Sequence, residues 1–276
     1  MRRLRFLFLA PAAGIVVLLF FVPLAILLGY AALTRGAYGG AGAPWTLENW
    51  VRLADPLYVG ILARSVAVAA VSTALCLVLG FPLAWFIARA GRRKNLWLAL
   101  VMLPFWTSFL VRTYAWMFLL RDTGLFNTAL QKLGLIAEPL PLLYNYGAVI
   151  LGLVYGYLPF MVLPLFATLE RLDKSLLEAA GDLGARPWQA QWRVVVPLAA
   201  PGIRAGALLV FIPCLGAYLT PDLLGGGKTI LIGTLIQNQF TNSRDWPFGS
   251  AASLALMAVV LALLMLQVRK KQEDLL

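Results

Sequence analysis

Apolar positions in this chain run on unbroken, without the strict alternation of a half-buried strand or the one-sided stripe of a surface helix. The runs cover 6–33, 65–88, 96–120, 146–169, 205–219 and 249–268. Each is close to the roughly 20 residues a helix needs to cross the hydrocarbon core. The pattern predicts an all-α membrane protein of six transmembrane helices with both termini on one side, forming a single transmembrane domain over 1–276. The first run follows Met1-Arg2-Arg3-Leu4-Arg5 and far exceeds the roughly 7–15 apolar residues of a secretory signal, so it reads as a first span. The fifth is short, holds Pro213 and Gly216, and runs into Leu223-Leu224-Gly225-Gly226-Gly227, which predicts a break at its outer end, where irregular backbone can line a cavity. The outer segment 34–64 is turn-rich at 36–44. It then becomes mildly amphipathic through Trp45, Leu47, Trp50 and Val51, as in a segment lying at headgroup depth.

Charge orients the spans. With the N-terminus inside, the cytoplasmic segments carry fifteen basic residues: Arg2, Arg3 and Arg5; Arg89, Arg92, Arg93 and Lys94; Arg171, Lys174, Arg186, Arg193 and Arg204; Arg269, Lys270 and Lys271. The outer segments carry seven, namely Arg35, Arg52, Arg64, Arg121, Lys132, Lys228 and Arg244. Short basic loops stay in the cytoplasm, so the expected orientation is N-in, C-in, across a bacterial inner membrane. The net charge of +11 is thereby mostly a record of topology; no soluble fold carries a basic patch for nucleic acid. With 61% apolar and 13% charged residues, the chain is no ordinary soluble domain. It has no histidine, and Cys76 and Cys214 both lie inside apolar runs, which argues against metal sites, a disulfide and histidine-based catalysis.

The segment 170–204 between the fourth and fifth spans holds the most information. Ser175 and Glu178 have the spacing of a capping box, Gly184 suits a helix C-terminus, and Pro187 stops any continuation. A short helix is predicted with Leu176, Ala179, Ala180 and Leu183 on one face, while Glu178 and Asp182 stack at i, i+4 on another. Two carboxylates so placed repel each other mildly unless a basic partner surface meets them, although Glu178 serving only as a cap and the small residues packing on the chain's own bundle fit equally well.

Glu178-Ala179-Ala180, then Gly184, then Val194, Val196 and Pro197 resemble, residue for residue and at the same distances, the signature loop of the membrane subunits of ATP-binding-cassette importers. Valine for the usual isoleucine and leucine is the departure. The resemblance implies a type I importer permease fold in which this cytoplasmic coupling helix docks in a groove of a cytosolic ATPase. Glu178, Ala179, Ala180, Asp182, Gly184 and Arg186 would be the coupling residues. The wider chain is similar to the spermidine/putrescine branch of these permeases, through Asp55-Pro56-Leu57-Tyr58, Cys76 to Gly80 with Pro82 and Ala84-Trp85-Phe86, Pro104-Phe105-Trp106-Thr107, Leu158 to Val162, Leu172-Asp173-Lys174 and Arg244 to Gly249. That similarity implies a polyamine as cargo, a second homologous permease, two copies of the ATPase, a periplasmic polyamine-binding protein, and ATP and Mg bound by the ATPase, with no cofactor in this chain. Related permeases for other small solutes share several of these motifs, so another small solute is the alternative.

A phosphate loop within this chain is excluded: Gly227-Lys228-Thr229 would need a glycine where Asp222 stands. A polycationic cargo wants carboxylates and aromatic faces along its path. Asp222, Tyr218, Trp106, Thr107 and Tyr155 are the candidates, with interfacial or packing roles as the plainer reading of each aromatic. Arg112 lies mid-span, where a charge is costly unless it faces protein or water. It is expected to be structural, paired with Asp222 or Asp122. An ion-coupled transporter would show ionisable residues in several spans, and an embedded enzyme would show paired catalytic carboxylates; neither pattern is present.

Overall fold

The computed structural model describes residues 2–173 and 175–273, with side chains except those of 2–10, 12, 13 and 266–273. Lys174 and Asp274, and the side chains of the basic residues flanking the two chain ends, lie outside it. In chain order the elements are α1 (Arg2–Ala31), β1 (Leu33–Arg35), β2 (Ala41–Trp45), α2 (Glu48–Leu53), α3 (Pro56–Arg89), α4 (Lys94–Met102), α5 (Phe109–Leu120), α6 (Leu125–Lys132), α7 (Tyr146–Leu169), α8 (Ser175–Asp182), α9 (Pro187–Ala190), α10 (Val196–Leu198), α11 (Ala200–Leu215), α12 (Leu219–Gly225), α13 (Ile232–Thr241) and α14 (Trp246–Glu273).

Among the described residues, α1, α3, α7 and α14 are apolar and long enough to cross a membrane alone. The runs expected at 96–120 and 205–219 are instead parts of bent pairs. Residues 91–106 and 109–132 meet at 85°, and 187–198 and 200–215 meet at 67°. Counting each pair as one span gives six. The first bend follows from Pro104, which sits in a tight turn over Leu103–Trp106 before Thr107 and Ser108 go extended at ψ 150° and 138°. The Thr107 hydroxyl closes the bend by donating to the Pro104 carbonyl at 2.8 Å. The fifth run ends, as its glycine suggested, at Gly216, and α12 resumes beyond it. The outer segment was not foreseen as sheet, yet β1 and β2 form an antiparallel hairpin pairing Leu33 with Trp45 and Arg35 with Ala41.

The chain divides into two compact units, 1–62 with 232–276, and 63–231. In the first, the end of α1 packs on the start of α14 through Ala31, Ala251 and Leu254. The buried Asn49 amide ties α2 to that end, donating to the carbonyls of Ala31 at 3.1 Å and Leu33 at 2.8 Å. Asp245 organises the start of α14. Its carboxylate accepts the Phe248 amide at 3.2 Å and Arg52 Nη1 at 3.0 Å, and the Arg52 guanidinium lies 4.2 Å from the Phe248 ring centre.

In the second unit α7 is the hub, with α11, α12 and α5 packed around it. Lipid tails are as apolar as leucine, so helices here associate through close van der Waals approach at small residues. A Cβ at Gly202 of α11 would come 2.8 Å from the Pro164 carbonyl oxygen and 2.6 Å from Thr168 Oγ1. One at Gly206 would meet Met161 Sδ at 2.7 Å, and one at Gly152 of α7 would meet Leu224 and Thr220 of α12 at 2.5 and 2.7 Å. Two hydroxyls in these helices return to their own backbone, Thr168 to Pro164 at 2.9 Å and Thr113 to Phe109 at 2.9 Å. Gly202→Ala should therefore destabilise the fold by about 1–3 kcal/mol through overpacking, read as a lowered Tm in detergent. Gly181→Ala, where a Cβ meets nothing within 4 Å, should leave it unchanged or higher.

Candidate functional site: the α8 loop and the Arg112 cleft

The predicted short helix is α8, and its two ends are built differently from one another. At the N-terminus Ser175 is already helical, so it is not itself the cap that the Ser175–Glu178 spacing suggested. The Asp173 carboxylate instead accepts the Ser175 amide at 3.0 Å, and that bond, with the Ser175 hydroxyl, holds the Asp173 carboxyl below its usual range. The bond therefore supports the turn above the ordinary carboxylate pKa and is lost as pH falls through the lowered value. At the C-terminus the chain closes as a Schellman motif. The Ala185 amide reaches the Ala180 carbonyl at 3.0 Å and the Gly184 amide reaches Gly181 at 2.8 Å, with Gly184 at φ +82°. Pro187 then opens α9, whose start is tied by the Arg186 amide donating to Gln189 Oε1 at 2.9 Å.

α8 packs on α9 and on a wide π-helical turn over Gln191–Val195. Pro197 explains that turn: lacking an N–H, it leaves the Arg193 carbonyl without its usual partner. Ala180 is the buried residue of α8, so the expected four-residue apolar face is divided. Leu176, Ala179 and Leu183, spaced i, i+3, i+7, point outward, with Leu183 88% exposed. Glu178 and Asp182 are exposed beside them, as are Gly184 and Arg186. Trp188 and Trp192, one turn apart and 60% and 66% exposed, extend this surface. Sequence reasoning passed over them, although their i, i+4 spacing in a basic segment was a signal. The result is an outward apolar ridge, edged by two carboxylates, on a rigidly closed helix that leads into α11.

The candidates for a substrate path sit on different elements. Trp106, 84% exposed, and Thr107 lie at the 85° break; Tyr218 precedes α12 and Asp222 occupies its first turn. Asp222 lies at the surface of the chain. Tyr155 lies edge-on to Trp116 at 5.5 Å, and with Arg112, Thr113, Phe109, Gly152 and Gly156 it lines a cleft of about 10 Å³, room for one water. Arg112 pairs with neither Asp222 nor Asp122: the ion pairs among the described residues are Arg52–Asp245 and Lys94–Glu170. Its guanidinium sits 4.7 Å from the Phe105 ring centre and 5.6 Å from that of Phe109, and its buried Nε and Nη1 have no hydrogen-bond partner. Aromatic faces, not a counter-ion, hold this charge.

Residues 77–271 match the profile of binding-protein-dependent transport system inner membrane components, and the chain belongs to that family. It is 45% identical over 92% of its length to the spermidine/putrescine transport system permease protein PotB of Escherichia coli (strain K12), covering 92% of that protein. It is 44% identical over 90% to the corresponding protein of Haemophilus influenzae, covering 87% of it. In fold it is similar to a chain of a bacterial ABC transporter that imports the polysaccharide alginate, with a TM-score of 0.71 at 18% identity, covering 98% of this chain and 95% of that one. The chain is thus a multi-pass inner-membrane transport subunit of the ABC importer permease fold.

Two outcomes test the geometry. Gly184→Ala forces a side chain into the left-handed region, at a cost of about 1–2 kcal/mol, and should speed amide exchange at Leu183–Ala185 while leaving the α7–α11 seam protected. Arg112→Met removes a charge that has no counter-ion, and since apolar replacements of buried charges are often neutral or stabilising, its Tm should equal or exceed that of the parent. A clear drop would mean a counter-ion is met in the membrane.

Proposed function

We propose that the chain is the permease subunit of an ATP-driven polyamine importer, carrying spermidine or putrescine by alternating access, with the chain oriented N-in, C-in and each bent pair serving as one span. The observation that carries the cargo is the 45% identity, over 92% of the chain, with a protein named as a spermidine/putrescine permease. The transducing element is α8. Its Leu176, Ala179 and Leu183 ridge would seat in a cytosolic ATPase, Glu178 and Asp182 would meet basic groups at the rim, and Gly184 would let the two backbones close together. Closure of two ATPase copies on ATP and Mg would press on α8 and on the equivalent helix of a second, homologous permease, and the spans would open toward a polyamine-loaded binding protein. Asp222, Tyr218, Tyr155, Trp106 and Thr107 are the groups this chain would offer a passing ammonium. The chain itself performs no covalent step.

The test is uptake of labelled spermidine into vesicles holding the chain with its partner permease, ATPase and binding protein. Uptake should require hydrolysable ATP and be competed by unlabelled polyamine. Leu183→Asp, which places a charge on the ridge, should lower the binding-protein-stimulated ATPase rate at least tenfold, the scale of losing a central interface contact. Full stimulation in that variant would show that α8 is not the transducing element, and ATP-independent uptake would remove the importer reading.

A further inference from the structure

The first unit carries an open cleft of about 370 Å³ whose lining is Tyr38, Gly39, Gly40, Phe240, Arg244 and Trp246. It lies where the β1–β2 turn meets the chain entering α14, and backbone and side-chain hydrogen bonds hold the two segments together. The Gly40 amide donates to the Arg244 carbonyl at 2.7 Å and Arg35 Nη2 donates to the Ser243 carbonyl at 2.6 Å, while Trp246 Nε1 ties the start of α14 back to α13 by donating to the Phe240 carbonyl at 3.3 Å. Arg244 adopts φ +50°, a left-handed conformation that an arginine takes only at a cost, and Gly39 faces it at φ +92° because a Cβ there would come 2.7 Å from the Arg244 Cβ. Backbone kept in such a conformation gathers at ligand clamps and binding sites. Here it presents Arg244, solvent-exposed, between a tyrosine that is 98% exposed and an exposed tryptophan. In the same unit Arg52 is already engaged by Asp245, so Arg244 is the guanidinium the cleft has to offer.

The side of the membrane follows from the unit's own helices. The cleft sits at the end of α1 and the start of α14, with Tyr30 and Trp246 in contact at 5.8 Å. The opposite ends of those two helices carry Arg2, Arg3, Arg5, Arg269, Lys270 and Lys271. Basic flanks stay inside, so the cleft faces out. A family defined by its dependence on a soluble binding protein must receive that protein on this side. Resting on the importer reading above, we infer that the Arg244 cleft is a docking seat for the binding protein, taking an acidic side chain of one of its surface loops between Tyr38 and Trp246. Exposed aromatic rims around an arginine are the composition of protein-interface anchors. The guanidinium selects a carboxylate, since a basic loop would be repelled.

The experiment measures binding of labelled, substrate-loaded binding protein to the assembled transporter in nanodiscs of phosphatidylcholine alone and of phosphatidylcholine with phosphatidylglycerol. Arg244→Gln and Arg244→Gly should each raise Kd about tenfold in both lipids and flatten its salt dependence, with Arg244→Lys intermediate. The glycine variant relieves the backbone while deleting the charge, so its defect cannot come from misfolding of the turn. Parent-like Kd in both variants overturns the inference. A defect confined to discs with anionic lipid overturns it too, by assigning Arg244 to a lipid headgroup. Failure of the parent assembly to bind the loaded protein at all overturns the importer reading and this inference with it.

Discussion

How closely α7 lets its neighbours approach decides what the second unit can do. In hydrocarbon there is no gain from hiding apolar surface from water, so contact area and shape carry the association of helices. Gly202 and Gly206 bring α11 onto the Pro164 and Met161 turns of α7 with no room for a methyl group, and Gly152 does the same for α12. Met161, Val162 and Leu165 of α7 are fully buried as a consequence. A seam this tight has few ways to yield locally. Displacement applied to one end of α11 is carried along α7 instead of being absorbed in repacking.

The loop that would receive such a displacement is built to transmit it. α8 is closed at its C-terminus by two backbone hydrogen bonds and a left-handed glycine. Between it and α11 the chain makes a proline-opened helix, a π turn and a 67° bend at Ala199, and that linkage bends through Pro187, Pro197 and Pro201 where backbone bonds are already missing. Under the proposed function, α8, this jointed connector and the tightly packed α11 would act as the parts of a lever. The buried residues at the joint, Ala180, Ala190, Val195 and Ala199, are small or β-branched, which keeps α8 close to the connector.

Much of this was legible in the chain because membrane burial leaves coarse marks. The run at 146–169 coincides with α7 to the residue, and Gly184 and Pro187 delimit α8 as their backbone preferences require. Hydropathy was blind where apolar composition continues through a change of direction: nothing in 96–120 distinguishes a straight span from one broken at Pro104–Ser108 except the proline itself. The hairpin at 33–45 and the helix α13 were missed for the opposite reason, since short outer elements owe their form to contacts with distant chain. Arg52 and Asp245 are 193 residues apart and their pairing leaves no local trace. Within the candidate site, the end of α8 was readable but its exposed face was not, because which side of a short helix is covered depends on α9 and the π turn.

Arg112 shows where sequence logic about charge fails. A mid-span guanidinium suggests a carboxylate nearby, because ion pairs are the familiar remedy for a charge in low dielectric. The fold supplies ring faces of Phe105 and Phe109 instead. The two remedies differ in what they leave behind. A carboxylate cancels the charge, whereas a ring's quadrupole attracts the cation and leaves the site with net charge +1. That residual charge sits beside the cleft containing Tyr155 and Trp116. In the proposed N-in orientation the outer segments would add little to it, since their seven basic residues are nearly balanced by six acidic ones, Glu48, Asp55, Asp122, Glu138, Asp222 and Asp245. For a cationic cargo under the proposed function, attraction on this chain would therefore come from exposed carboxylates such as Asp222 and from aromatic faces. Under that reading the uncancelled guanidinium would oppose any cation that settled in the cleft beside it.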